Sequence, residues 1–198
     1  MPTTWLDTVL RQSRRVGNFP YPHWAAFLLD NPVRRLLANP ADLAAALDLS
    51  GSETVLELGP GSGFFSREVA GRLPHGRLEL FDIQPEMLAK ARHKLDRAGH
   101  RNVGFHDGDA GAGLPFADHT FDVAYSVSVI GEVPDKPSCL MSLHRVLKPG
   151  GLLVFMEGFP DPDRLSTDEL RKLAEPHGFR LRDAGGTIVR DIVRFDNT

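Results

Sequence analysis

The sequence predicts an α/β domain built on a mostly parallel sheet with helices on both faces. Short apolar runs alternate with helix-length segments from residue 54 to 157, the pattern of βαβ units. A glycine turn, Gly59-Pro60-Gly61-Ser62-Gly63, follows the first apolar run directly. Strand-then-turn is where open α/β sheets bind nucleotide-like ligands. Acids end three of the apolar runs: Glu57, Asp82 and Glu157.

Residues 3–48 read as helical and irregular. Trp5, Leu6, Val9 and Leu10 form an apolar stripe at helical spacing, followed by Arg11, Arg14 and Arg15. Phe19 to Trp24 is an aromatic turn, and Pro22 is placed to open the next helix. Val55 to Leu58 is the first strand, and Arg77 to Asp82 the second. Pro85 then opens a helix, with Glu86 at the positive end of its dipole. Val103 starts a third strand and Phe121 to Ser126 form a fourth. Leu147-Lys148-Pro149-Gly150-Gly151 stops a helix and turns into the fifth strand. Helices are expected near 64–73, 85–98, 136–147 and 167–177. Ser166 with Glu169 makes a capping box, and Gly178 marks the end of that helix. Residues 179–184 and 187–195 read as a hairpin turning at Gly185-Gly186.

A length of 198 residues fits one domain, divided here into a helical cap segment, 1–50, and a core, 51–198. With 41% hydrophobic and 25% charged residues the chain is an ordinary globule. A net charge of −3 gives no general attraction to nucleic acid. There is no apolar run of membrane-span length and no signal-peptide core, so the cytoplasm is expected. The single cysteine, Cys139, excludes an internal disulfide and a cysteine-rich metal site. Asp107 reads as a turn former among glycines; His106 with Asp107 and Asp109 has the residue types of a metal site, but no metal is expected.

The chemistry lies in the glycine turn. Dinucleotide sites use G-x-G-x-x-G and seat a pyrophosphate on a helix N-terminus. Here the spacing is Gly59-x-Gly61-x-Gly63, with Glu57 two residues ahead. A carboxylate there suits a cationic ligand group and repels a pyrophosphate. Asp82, 25 residues further on, can accept both hydroxyls of a ribose.

Five landmarks spread in order over residues 54–156 resemble class I S-adenosylmethionine-dependent methyltransferases. They are the Glu57 to Gly63 turn, the Asp82 strand, Gly108-Asp109-Ala110 with Leu114-Pro115-Phe116, the Phe121 strand and the Leu-Lys-Pro-Gly-Gly turn. The wider similarity is to the ubiquinone/menaquinone methyltransferase-like, or type-11, group. The resemblance implies a Rossmann-like three-layer sandwich, its seven-stranded, mostly parallel sheet ending in an antiparallel strand, with added N-terminal helices. It implies S-adenosylmethionine as cofactor. Glu57 would lie near the methionine ammonium, with Gly59, Gly61 and Gly63 wrapping the cofactor. Asp82 would hold the ribose, Ile83 would pack on the adenine, and Asp109 and Ala110 would meet its edge.

Methyl transfer from a sulfonium is an in-line displacement driven mainly by positioning. Ser126 to Glu132 follow the fourth strand, which places Ser126 beside the cofactor and makes Glu132 a candidate base. Ser126-Val127-Ser128-Val129 stands where many amino-group methyltransferases carry [D/N]-P-P-[Y/F]. Glu157, Tyr21 and His23 are candidates for substrate contact. A small-molecule acceptor is expected, lipophilic or quinone-like by the resemblance. The arginine-flanked N-terminal stripe suits weak contact with an anionic membrane surface, and packing on the sheet explains it equally well. The alternative function is a module that binds S-adenosylmethionine or S-adenosylhomocysteine without turnover. A nicotinamide-dependent oxidoreductase is disfavoured by the glycine spacing and by Glu57.

Overall fold

The computed structural model describes residues 39–158, 161, 163–187 and 190–198. Tyr21, His23 and the arginine-flanked stripe lie outside the described residues, as does most of the expected cap segment. The elements run α1 (Pro40–Ala46), β1 (Thr54–Leu58), α2 (Ser66–Gly71), β2 (Arg77–Asp82), α3 (Pro85–Arg97), β3 (Val103–Asp107) and β4 (Phe121–Val127), followed by α4 (Lys136–Val146), β5 (Leu147–Gly158), α5 (Thr167–Ala174), a 3₁₀ turn (Glu175–His177), β6 (Phe179–Thr187) and β7 (Arg190–Asn197). Seven strands form one sheet in the order β3-β2-β1-β4-β5-β7-β6. The first five pair in parallel, and β7 runs antiparallel to both of its neighbours.

Both sheet faces are covered, so the central strands are buried along almost their whole length. On one face Val55, Leu80, Val123, Tyr125 and Val154 pack against Leu43, Val69, Ala91 and Leu95 from α1, α2 and α3. On the other, Leu56, Phe121, Phe155 and Phe195 pack against Leu140, Leu143 and Leu170 from α4 and α5. Alternate residues of each strand therefore serve opposite layers.

Local chemistry fixes the helix ends. Pro85 opens α3, with Glu86 in its first turn and Lys94 and Arg97 in its last. Asp135 caps α4, accepting from Ser138 N at 3.0 Å and from its Oγ at 2.7 Å, and these bonds hold its carboxyl below the usual range. The Ser166–Glu169 capping box is present in both arms.

Four boundaries differ from expectation. β5 begins at Leu147 and so takes in the expected Leu147 to Gly151 turn, with a register shift against β4 between Phe121 and Val123. The helix expected near 64–73 is confined to Ser66–Gly71, because Phe64 and Phe65 belong to the turn leaving the glycine loop. The last helix stops at Ala174 and tightens into a 3₁₀ turn at Pro176, whose missing N–H cannot continue an α-helix. Gly178, at φ 86°, then ends it in the left-handed region. The hairpin does not turn at Gly185-Gly186. Those glycines pair with Ile192 and Asp191, and the pairing continues to Thr187 with Arg190.

Candidate cofactor and acceptor site

The carboxyl ends of β1, β2 and β4 converge on the glycine turn. Gly59 N donates to Phe81 O at 2.8 Å, and Gly63 N donates to Pro60 O at 3.0 Å. All three glycines have positive φ, +67°, +54° and +77°, which L-residues with a Cβ rarely adopt. A Cβ on Gly59 would lie 2.4 Å from Val129 Cγ2. One on Gly63 would lie 3.0 Å from Ala91 Cβ of α3. On Gly61 it would meet nothing within 4 Å. The outer glycines are therefore demanded by packing, and the middle one borders space.

Asp82 is buried at the tip of β2. Its Oδ2 accepts from Gly61 N at 3.1 Å and its Oδ1 from Gln84 N at 2.9 Å. Burial raises its pKa, and the backbone donors Gln84, Gly61 and Ile83 oppose the rise. Next to it, Ile83 is 51% exposed, one of two large hydrophobics left exposed among the described residues.

Glu57 is 2% exposed and lies beneath the loop. Burial pushes its pKa up to about 7; the hydroxyls of Ser66 and Tyr125 oppose that rise and the charge of Asp82 adds to it. Asp109 is exposed and forms a tight turn, its Oδ1 accepting from Gly111 N at 2.8 Å, while Ala110 is buried. Phe116 makes edge contacts with Phe81, His106 and Phe121, closing that end of the site with aromatic rings. His106 Nε2 lies 2.7 Å from Glu79 Oε2. Among the described residues no cluster of His, Cys, Asp or Glu is arranged to hold a metal.

Beyond β4 the chain turns through Ser128, at the unusual φ of 53°, and Val129 then covers Gly59. Glu132 follows. Burial raises its pKa to about 7, helped by the charges of Asp161, Asp163 and Asp82. The loops after β4 and β5 are pressed together, for a Cβ on Gly131 would lie 2.0 Å from Asp163 O. Glu132 thus lies within electrostatic reach of Asp82 as well as of the loop after β5. Ser126 is buried at the end of β4, and its Oγ has no hydrogen-bond partner among the described residues.

Glu157 is fully buried, and its Oε2 accepts from Leu165 N at 3.1 Å. It therefore anchors the chain between β5 and α5, in the layer occupied by α4 and α5. The sequence reading missed Tyr125, Ser66 and Val129. Only the hydroxyl of Tyr125 within a buried apolar run signalled the first of them.

A family model described as a methyltransferase domain matches residues 49–175. The chain is 38% identical over 151 residues to the ubiquinone/menaquinone biosynthesis C-methyltransferase UbiE of Klebsiella pneumoniae, covering 72% of this chain and 57% of that protein. It is 35% identical over 138 residues to the arsenite methyltransferase of Halobacterium salinarum, covering 67% of this chain and 34% of that one. The chain thus matches between about a third and just over half the length of these curated relatives. In fold it is similar to an S-adenosylmethionine-dependent methyltransferase from Aquifex aeolicus, with TM-score 0.83 at 23% identity over 90% of this chain and 100% of that one. It is also similar to a Haloferax volcanii putative methyltransferase solved with the Trm112 activator, with TM-score 0.74 at 22% identity over 88% and 96% of the two chains.

Proposed function

Because the chain belongs to the methyltransferase-domain family, of the class I S-adenosylmethionine-dependent kind, we propose that it transfers a methyl group from S-adenosylmethionine to a small, lipophilic, quinol-like acceptor. The observation that carries this reading is the convergence of Asp82 and Glu57 on the glycine turn.

The residues present fit the cofactor. Gly61 borders open space, Asp82 presents a carboxyl at the loop, Glu57 has a buried unpartnered oxygen, and Ile83 offers an exposed apolar surface for a flat ring. When bound, S-adenosylmethionine supplies a methyl group already activated on a sulfonium sulfur. In this reading Asp82 holds the ribose hydroxyls, Ile83 and Ala110 border the adenine, and Asp109 meets its amino edge. Ser126 lines the reacting end. The chain's part is then to hold the acceptor in line with the methyl group and keep water away.

Glu132 gives the reading its chemistry at the acceptor. A carboxyl titrating near 7 suits a general base. It would take the proton of a ring hydroxyl and so make the neighbouring ring carbon nucleophilic toward the methyl that the bound cofactor would supply, and the hydrogen displaced from that carbon would leave as a proton to solvent. The quinol-like acceptor is supported by the match to the ubiquinone/menaquinone enzyme. The relatives are named as methyltransferases, which does not favour a module that binds without turnover. No helix among the described residues is long and apolar enough to cross a membrane.

The test is calorimetric titration of S-adenosylmethionine and S-adenosylhomocysteine, followed by transfer of a labelled methyl group to quinols that lack one ring methyl. Micromolar binding and a methylated quinol are expected. Binding without transfer to any quinol would remove the acceptor assignment, and no binding would remove the whole reading.

A further inference from the structure

β1 and β4 run parallel with Glu57 directly opposite Tyr125. Ser66, the first residue of α2, also borders the Glu57 carboxyl. All three side chains are buried. Glu57 Oε2, Tyr125 Oη and Ser66 Oγ have no partner in hydrogen-bonding geometry among the described residues. The two hydroxyls border the Glu57 carboxyl closely enough to favour its charged form without reaching full hydrogen-bond geometry, and since buried polar atoms are nearly always paired, the group beneath the glycine loop is left incompletely satisfied.

The charges around the group decide its state. Tyr125 from β4 and Ser66 from α2 are neutral hydroxyls, and Asp82 from β2 is an acid within electrostatic reach. Among the described residues no cation forms an ion pair with Glu57. An isolated buried carboxylate is costly, and the group keeps its proton instead.

We infer that Tyr125, Ser66 and Glu57 form a proton-linked recognition site, in which the Glu57 carboxyl releases its proton to solvent as an ammonium-bearing cofactor settles beside it. The inference rests on the reading above, which sets Glu57 near the ammonium of the methionine moiety. Tyr125 and Ser66 act as positioning residues. Their hydroxyls stabilise the carboxylate once it forms and so set the pH at which the cofactor is taken up. The titration of Glu57 at about 7 in the protein alone places this exchange near neutrality.

S-adenosylhomocysteine, which cannot react, is the probe. It is titrated calorimetrically at pH 7 in buffers that differ in ionisation enthalpy, so that the slope counts protons released. The native chain is expected to release about half a proton. Glu57→Gln should abolish the release. Tyr125→Phe and Ser66→Ala should each move the midpoint of the affinity–pH profile upward. Each should also weaken binding about three- to tenfold at pH 7, with recovery at higher pH. If Glu57→Gln does not fold, the upward shift in the other two variants carries the test. Binding without proton release, or release that persists in Glu57→Gln, would overturn the inference and leave the cofactor assignment standing. No binding by the native chain at any pH would overturn the cofactor reading itself.

Discussion

Asp82 Oδ2 and Gly61 N are joined at 3.1 Å, which ties the tip of the second strand to the middle of the glycine turn. On the proposed reading the bond also sets the carboxyl that would hold the ribose and fixes the loop that would wrap the cofactor. Asp82→Ala removes both functions and leaves Gly61 N without its partner. It is expected to weaken S-adenosylmethionine and S-adenosylhomocysteine at least about tenfold, the scale of one charge-assisted hydrogen-bond site. Calorimetry on the two chains checks this, and equal affinities would remove Asp82 from the site.

Gly59 and Gly61 separate packing from ligand space. Gly59→Ala drives a methyl into Val129, 2.4 Å from Cγ2, at a φ of +67°. A stability loss of about 2–4 kcal/mol is expected from overpacking and left-handed backbone together. Gly61→Ala meets no neighbour within 4 Å at its φ of +54°, so its stability loss should be only about 1–2 kcal/mol. Its cofactor affinity should nevertheless collapse, because the methyl fills the cradle. Thermal melts beside calorimetry distinguish the two. A Gly61→Ala protein that binds normally would show that the space beside Gly61 is not the cofactor's.

Glu57 is expected to lower the stability of the protein alone as pH rises. Its carboxyl titrates at about 7 when folded, against an ordinary value of 4.5. Between those values the folded state binds more protons than the unfolded state, so stability falls as pH rises from about 4.5 and levels off above about 7. The loss is on the order of 3 kcal/mol. Glu57→Gln should reduce that slope between denaturant titrations at pH 5 and pH 8, leaving the part due to Glu132, whose carboxyl is likewise pushed up to about 7. An unchanged slope would show that Glu57 is already ionised in the fold.

Glu132 should govern rate rather than cofactor binding. With the carboxyl titrating at about 7, activity limited by a base rises with pH through that value. Glu132→Gln is expected to lower kcat about 10²–10⁴-fold and to erase that limb of the pH profile. S-adenosylhomocysteine affinity should stay within about twofold. A variant with native kcat would leave positioning as the sole source of catalysis.

Much of this was legible because it is local. Strand and helix order follow from apolar runs and caps that lie within a few residues of one another, and the Ser166–Glu169 box is the clearest case. Asp82 and the glycines were legible because a turn and a strand tip declare themselves in sequence. Tyr125 was not, because its role depends on the pairing of β1 with β4 across 68 residues of chain. Val129 above Gly59 and Leu165 on Glu157 depend on how loops fold back over the sheet, and no periodicity encodes that. The hairpin turn was misplaced because two glycines signal a turn locally, whereas β6 and β7 pair straight through them to Thr187 and Arg190.

The sheet order places β7 between β5 and β6. On a ribosome, β6 therefore emerges with no neighbour to join, while β5 waits with an open, apolar edge. Neither can be satisfied until residues 190–197 have cleared the exit tunnel. The half that carries the glycine turn needs none of those residues for its own pairings. Synthesis should thus deliver the cofactor half of the sheet first and close the distal half in a single late step.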